Sequence, residues 1–255
     1  MESRPPLTAM RRVALVAPLR RTESGSGTFL ALADDGSRYW VKAPGNPQGD
    51  RTLVSEVIVQ GIGHLIGAPV VETCLIAIPD GTRWKYTSQD VLRGGTGHAS
   101  RDISDAIVSD EWSPFTHLDG NRRRQSFLVA LWDLCMGGDE QWLHEVGDDY
   151  GIWSFDHGFW LGGYGDWDIQ SIRRTGTRPW VGDLDVTLLS RSALRDAADA
   201  VDDLQWVHLD DVMARVPVEW GATEAELAAV AEVLFSRVEG VVERLRAASQ
   251  RAGHE

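Results

Sequence analysis

Two carboxylates in this chain are spaced so that they could share one reaction. Asp139 lies in Gly137-Gly138-Asp139-Glu140-Gln141-Trp142, and Asp156 follows 17 positions later in Asp156-His157-Gly158. The first comes just past an amphipathic run at 121–136. The second closes a short apolar stretch, Tyr150-Gly151-Ile152-Trp153-Ser154-Phe155. Between them, Val146-Gly147-Asp148-Asp149-Tyr150-Gly151 is rich in turn formers. The order is helix, loop carboxylate, hairpin, loop carboxylate. Phosphoryl transfer uses that layout, with one Asp beside the attacking hydroxyl and one on the magnesium that bridges the phosphates.

The amino-terminal third supplies the other groups such chemistry needs. Lys42 ends the strand-like Tyr39-Trp40-Val41, where an ammonium could pair with phosphate oxygens. Glu56, 14 residues on and one turn into a helical run, could hold that lysine by an ion pair. Gly25, Ser26 and Gly27 form a small loop whose backbone N–H groups could approach phosphates without a Cβ in the way. The segment 87–92, with Gln89 and Val91, falls where two lobes would join, at the place for an adenine edge.

These residues need a particular scaffold. Residues 13–17 read as a strand stopped by Pro18. Residues 29–32 and 38–41 flank Asp34-Asp35-Gly36-Ser37, a hairpin signal. Residues 51–66 are helical in period and end at Gly67. Residues 70–78 and 83–91 read as a further extended pair, and the glycines of 93–97 as a flexible boundary. Beyond it come helical runs at 121–136, 192–204 and 209–216. A last helix is announced by the capping box Thr223-Glu224-Ala225-Glu226. The expectation is an α+β chain of two lobes, a small β-rich one at 1–92 and a larger, mainly helical one at 93–255.

A chain of 255 residues has material for both lobes. Its net charge of −13 argues against direct nucleic-acid binding and against an anionic membrane as main partner. No apolar run approaches the roughly 20 residues of a membrane span, and no secretory leader is visible. Cys74 and Cys135 match no metal spacing and read as reduced thiols of a cytoplasmic protein. Asp166, Asp168, Asp183 and Asp185 read as solvated turns.

Taken in order, these motifs resemble the HipA-like kinase domain, and specifically its short single-domain bacterial members. The likeness spans roughly 20–245. It rests on the Gly-Ser-Gly loop, Tyr-Trp-Val-Lys, the Ser55-Glu56 helix running into Leu65-Ile66-Gly67-Ala68-Pro69-Val70, the Gly-Gly-Asp139 loop and Ser-Phe-Asp156-His-Gly. It implies a two-lobed protein-kinase-like fold, ATP with Mg²⁺, and transfer to a Ser or Thr hydroxyl of a protein substrate. It carries over Lys42 and Glu56 as the phosphate-anchoring pair, Asp139 as catalytic Asp and Asp156 as metal ligand. Such kinases place an Asn five residues after the catalytic Asp, where this chain has His144. Read as a metal ligand, an imidazole there would favour Mn²⁺ at least as well as Mg²⁺. Two alternatives stand beside this reading: a nucleotide-binding pseudokinase that regulates a partner protein, and a small-molecule kinase of the aminoglycoside-phosphotransferase type. Against the second, the His expected just before the catalytic Asp is Gly138.

Overall fold

The fold is taken from a computed structural model that describes residues 9–162, 165–180, 182 and 184–253; Asp183 lies outside these. The amino-terminal lobe is a closed five-stranded barrel of order β1-β2-β3-β5-β4. Its strands are β1 (Arg12–Arg21), β2 (Phe29–Ala33), β3 (Arg38–Lys42), β4 (Thr73–Ile78) and β5 (Gly95–Arg101). Phe29, Ala31, Tyr39, Val41 and Ile76 alternate inward to fill it. All pairings are antiparallel except β1 with β4, which closes the barrel in parallel. β1 runs through Pro18 instead of stopping there. The strand is bulged on both sides of the proline, and its parallel partner reaches only Arg12 to Ala14, so the missing N–H costs no ladder bond on that side.

Helix α1 (Arg51–Ile66) crosses between the lobes and is buried along almost its whole length, ending at a left-handed Gly67. Burial extends to the polar Thr52, Ser55, Glu56 and Gln60, since one face meets the barrel and another meets the helices. The second lobe holds a three-stranded sheet, β6 (Ala106–Ser109), β7 (Trp142–Glu145) and β8 (Gly151–Ser154), in that order. Against it packs α2 (Asp119–Leu134), and α3 (Ile169–Thr175), α4 (Arg191–Asp202) and α5 (Trp206–Met213) gather with α2 on the long α6 (Glu224–Arg251). The expected capping box forms at α6: Glu226 N–H donates to Thr223 Oγ1 at 3.2 Å, and Thr223 N–H to Glu226 Oε2 at 2.8 Å. Asp168, expected as a solvated turn, caps α3 in the same way with Ser171. Cys74 and Cys135 are buried and unbridged. Among the described residues no helix is long and apolar enough to cross a membrane.

Two expectations about the lobe junction need correction. The glycines of 93–97 are no flexible boundary. They open β5, which sits between β3 and β4, so a lobe break at 92/93 would remove a central strand. Gly97 is needed there because a Cβ would lie 2.9 Å from the Lys42 carbonyl. Nor is 83–91 a strand of the barrel. It folds on itself through the single Lys85–Val91 bridge, and Trp84 and Tyr86 lean on Phe29 to cover the barrel end, with ring centroids 5.0 and 6.3 Å away. The chain passes from lobe to lobe at Arg101–Asp105, between β5 and β6.

Candidate active site

Lys42 is the last residue of β3, and its alternation with inward-facing Val41 turns it out of the barrel toward α1. Its Nζ lies 2.5 Å from Glu56 Oε1 and also bonds Asp156 Oδ1. The second oxygen of Glu56 accepts the backbone N–H of His157 at 3.0 Å. The His157 ring in turn hydrogen-bonds Ser154 Oγ on β8 through Nε2 at 2.8 Å. One polar chain therefore joins β3, α1, the Asp156 loop and β8. Lys42 and Glu56 are both almost wholly buried. Burial alone would lower the lysine pKa, but the carboxylates of Asp156 and Glu56 outweigh it and hold it above its ordinary value. Burial would raise the Glu56 pKa, and the Lys42 ammonium with the His157 side chain outweighs that, holding it well below the usual range. Glu56 is stable there as an anion because Lys42 is present, and Lys42 as a cation because Asp156 and Glu56 are.

The loops that carry the two aspartates are shaped by close contacts. Asp139 (φ 57°) and Asp156 (φ 56°) both adopt the left-handed conformation, which Asp tolerates better than most residues. A Cβ on Gly137 would meet the Trp132 ring at 2.3 Å, and one on Gly138 the Phe159 carbonyl at 2.8 Å. Gly158 would place a Cβ 3.1 Å from Thr52 of α1 and 3.2 Å from Lys42 Nζ. The glycines of both motifs thus allow the two loops and α1 to touch. Behind Asp139, the fully buried Arg237 of α6 donates to the Asp133 and Leu134 carbonyls, closing the carboxyl end of α2. Trp180 Nε1 donates to the Gly137 carbonyl at 2.5 Å. Asp139 itself is exposed and accepts from Gln141 Nε2 at 2.9 Å.

Between the lobes lies a cleft of about 390 Å³, lined by Lys42, Glu56, Asp156, His98, Trp40 and Gln141 among others. Thr22, Ser24 and Thr28 line its upper rim. The expected loop residues sit just behind them. Ser26 is buried with its hydroxyl 2.8 Å from Thr28 Oγ1, Gly27 (φ 64°) packs under Tyr86 and Thr87, and Gly25 is exposed beside Gln48. Gln89 and Val91 are exposed on the flap over the barrel end and do not line the cleft. The linker residues that do are Arg101, Asp102, Ile103 and Ser104.

His144 is the other correction. On β7, Leu143 lines the cleft, so the strand's alternation sends Trp142 and His144 to the opposite face. His144 is 1% exposed and meets Phe115 edge-on at 4.9 Å, and burial pushes its pKa down. It cannot ligate a metal held by Asp156.

Sequence reasoning missed His98, Trp40 and Asp102. Trp40 was legible, since it lies two residues before Lys42 on one strand and so shares its side. His98 was hidden by the glycines around it. It pairs with Lys42 across β3 and β5, is 1% exposed, and its Nε2 has no hydrogen-bond partner. Burial pushes its pKa down to about 4, so its ring is neutral at physiological pH.

A divalent ion fits this donor set in one way only. Among the described residues no three His, Cys, Asp or Glu side chains come together to hold a metal. Asp156, with Gln141 on the same cleft wall, offers one carboxylate and an amide; Asp139 does not line the cleft. Mg²⁺ is commonly held this way, with substrate phosphates completing the shell.

No family model matches this chain, and no curated protein does. Solved structures do. It is similar to a proinflammatory kinase of Helicobacter pylori, CtkA, at 12% identity and a TM-score of 0.58, covering 94% of this chain and 99% of that one. It is also similar to the Golgi casein kinase, at 9% identity and a TM-score of 0.49 over 97% of this chain and 74% of that one. A structure of the Golgi casein kinase with Mn/ADP bound matches at 11% identity and a TM-score of 0.45, covering 92% of this chain and 73% of that one. The β-rich first lobe and helical second lobe are those of a kinase-like fold.

Proposed function

We propose that this chain is an ATP-dependent phosphotransferase, and that it acts as a HipA-like serine/threonine protein kinase. The observation that supports this most is the chain from Lys42 through Glu56 to His157, with Asp156 on the same ammonium. A buried ammonium shared by two carboxylates on the wall of an open cleft is the kind of perturbed charge cluster that gathers at functional sites. Lys42 offsets charge on the phosphate oxygens, and Glu56 keeps it aimed. Asp139, exposed at the loop tip, orients the incoming hydroxyl and accepts its proton. Mg²⁺ on Asp156 supplies charge neutralisation at the phosphates when nucleotide is bound. Neutral His98 adds no competing positive charge beside Lys42.

The acceptor is proposed to be a Ser or Thr hydroxyl on a protein, in keeping with the resemblance. A nucleotide-binding pseudokinase is the second reading. It is favoured by the burial of His144, which leaves no side chain of that position facing the cleft. Incubation with ATP and Mg²⁺ separates the two: a kinase transfers phosphate to itself or to a cellular Ser/Thr protein, and Asp139→Ala abolishes transfer while ATP still binds. Equal labelling by wild type and Asp139→Ala would remove Asp139 from the mechanism.

A further inference from the structure

The upper wall of the cleft carries an aromatic surface that the phosphate-handling residues do not use. Trp40 stands on β3 in register with Leu30 on one side and Ser100 on the other, and Leu30 is in register with Arg20. The four side chains therefore share the outer face of the barrel. Trp40 is half-buried and lines the cleft, while its neighbour in the sequence, Val41, fills the barrel.

The indole is fixed from two directions. Its Nε1 donates to Asp102 Oδ1 at 2.9 Å, and Asp102 is itself held by Arg38 at 2.7 Å. The Arg20 guanidinium lies over the ring, 5.2 Å from its centroid. A tryptophan held at its polar edge and at its π-system cannot swing out of the wall. Below it, Ala106 and Val108 of β6 and Leu143 of β7 make the floor apolar. An apolar slot with one rigid aromatic wall suits a planar ring.

The linker offers few means of reading that ring's edge. Of its four residues on the cleft wall, two have their N–H groups engaged, Arg101 with the Glu72 carbonyl and Asp102 with the Arg38 carbonyl, both at 2.9 Å, which leaves Ile103 and Ser104. Asp102's carboxylate is taken up by Trp40 and Arg38. Stacking is then the main source of base affinity, and stacking tolerates any base because each has a π-face.

We infer that Trp40 is the platform on which the base of a purine nucleoside triphosphate stacks, and that the cleft discriminates weakly between adenine and guanine. The inference rests on the phosphotransferase reading, and concerns which part of the nucleotide each wall holds.

Calorimetric titration of the full chain with ATP, GTP and inorganic tripolyphosphate, each with Mg²⁺, tests it. In wild type, ATP and GTP should bind within about fivefold of each other. In Trp40→Leu both should weaken about tenfold, the usual scale for one lost stacking contact, and tripolyphosphate should bind unchanged. Lys42→Ala should weaken all three. If Trp40→Leu binds ATP as wild type does while Lys42→Ala does not, the nucleotide reading stands and the platform is wrong. A preference for ATP over GTP of a hundredfold or more would overturn the weak discrimination. If none of the three binds wild type, the phosphotransferase reading fails, and the platform with it. Should Trp40→Leu lose tripolyphosphate too, Trp40→Phe decides. Phe that keeps ATP near the wild-type affinity supports the platform, and Phe that loses ATP while keeping tripolyphosphate contradicts it.

Discussion

Glu56 accepts the backbone N–H of His157 at 3.0 Å while its other oxygen holds Lys42. One buried carboxylate thus ties α1 to the loop that presents Asp156 and to the strand that presents Lys42. Any displacement of α1 pulls on both. The arrangement makes the position of α1 a condition for assembling the cleft, and it makes the energetics of these residues interdependent.

The first expected outcome concerns that interdependence. Lys42→Met leaves Glu56 as a buried anion with only His157, through its N–H at 3.0 Å and its ring Nδ1 at 3.5 Å, and breaking a buried pair in this way costs about 3–5 kcal/mol. Glu56→Gln leaves Lys42 with Asp156 and should cost less. The double variant should recover part of the Lys42→Met loss. Urea unfolding of the three variants without nucleotide checks the order, and strictly additive losses would contradict the coupling.

Acid sensitivity follows from His98. Its folded pKa of about 4 lies below the ordinary value of 6.5, so the unfolded chain binds the proton first. Stability of the metal-free protein should therefore fall as pH drops from about 6.5 toward 4. Glu56, whose pKa is also depressed, contributes stability that is present above its ordinary value of 4.5 and lost as pH falls below it. The two windows adjoin. The titratable groups facing His98 are Glu56, Lys42, Asp156 and His157. His98→Gln should reduce the slope of the melting temperature between pH 6.5 and 4, with His64 and His144, whose pKa values burial also lowers, keeping the remainder, and leave the steeper fall at lower pH. An unchanged slope in the upper window would assign the sensitivity elsewhere.

Metal should enter with nucleotide. With no three-ligand cluster among the described residues, Mg²⁺ or Mn²⁺ alone should leave the melting temperature where it is. ATP with either ion should raise it by mass action, by about 2.7 kcal/mol of stabilisation at a hundred times the dissociation constant. A shift with Mg²⁺ alone would reveal a preformed site.

His144 should not set metal preference. His144→Asn exchanges one buried polar ring for a smaller group beside Phe115, so a stability loss of about 1 kcal/mol is expected, from packing. The ratio of Mg²⁺- to Mn²⁺-supported nucleotide binding should stay as in wild type. A shift of that ratio toward Mg²⁺ would restore His144 as a ligand.

Much of this was legible in the chain. The 3.6-residue period of α1, the Thr223–Glu226 box and the Asp-Gly hairpin at 34–37 are local signals, and local chemistry is what sequence patterns record best. Lys42, Glu56 and Asp156 were found by type and order, and the fold brings them into contact. The errors arose where tertiary context overrode a local sign. Gly94, Gly95 and Gly97 read as a flexible break, yet Gly97 is there because the barrel backbone comes too close for a side chain. Trp84 and Tyr86 alternate as strand residues do, but they cover the end of the barrel. His144 occupied the expected position in the motif, and the phase of β7, which fixes its direction, is set by pairing with β6, a strand whose four residues gave no sign of themselves.

The central claim is that Asp139 acts on the acceptor hydroxyl in a site whose phosphates are held by Lys42. It is tested most directly by single-turnover phosphate transfer from ATP, with ATP binding measured on the same samples. Wild type should bind and transfer. Asp139→Ala should bind ATP within about threefold of wild type, because it touches no phosphate in this account, and lose transfer by two orders of magnitude or more. Lys42→Ala should lose both. Transfer by Asp139→Ala at the wild-type rate, or wild type that binds ATP and transfers to nothing, would contradict the account.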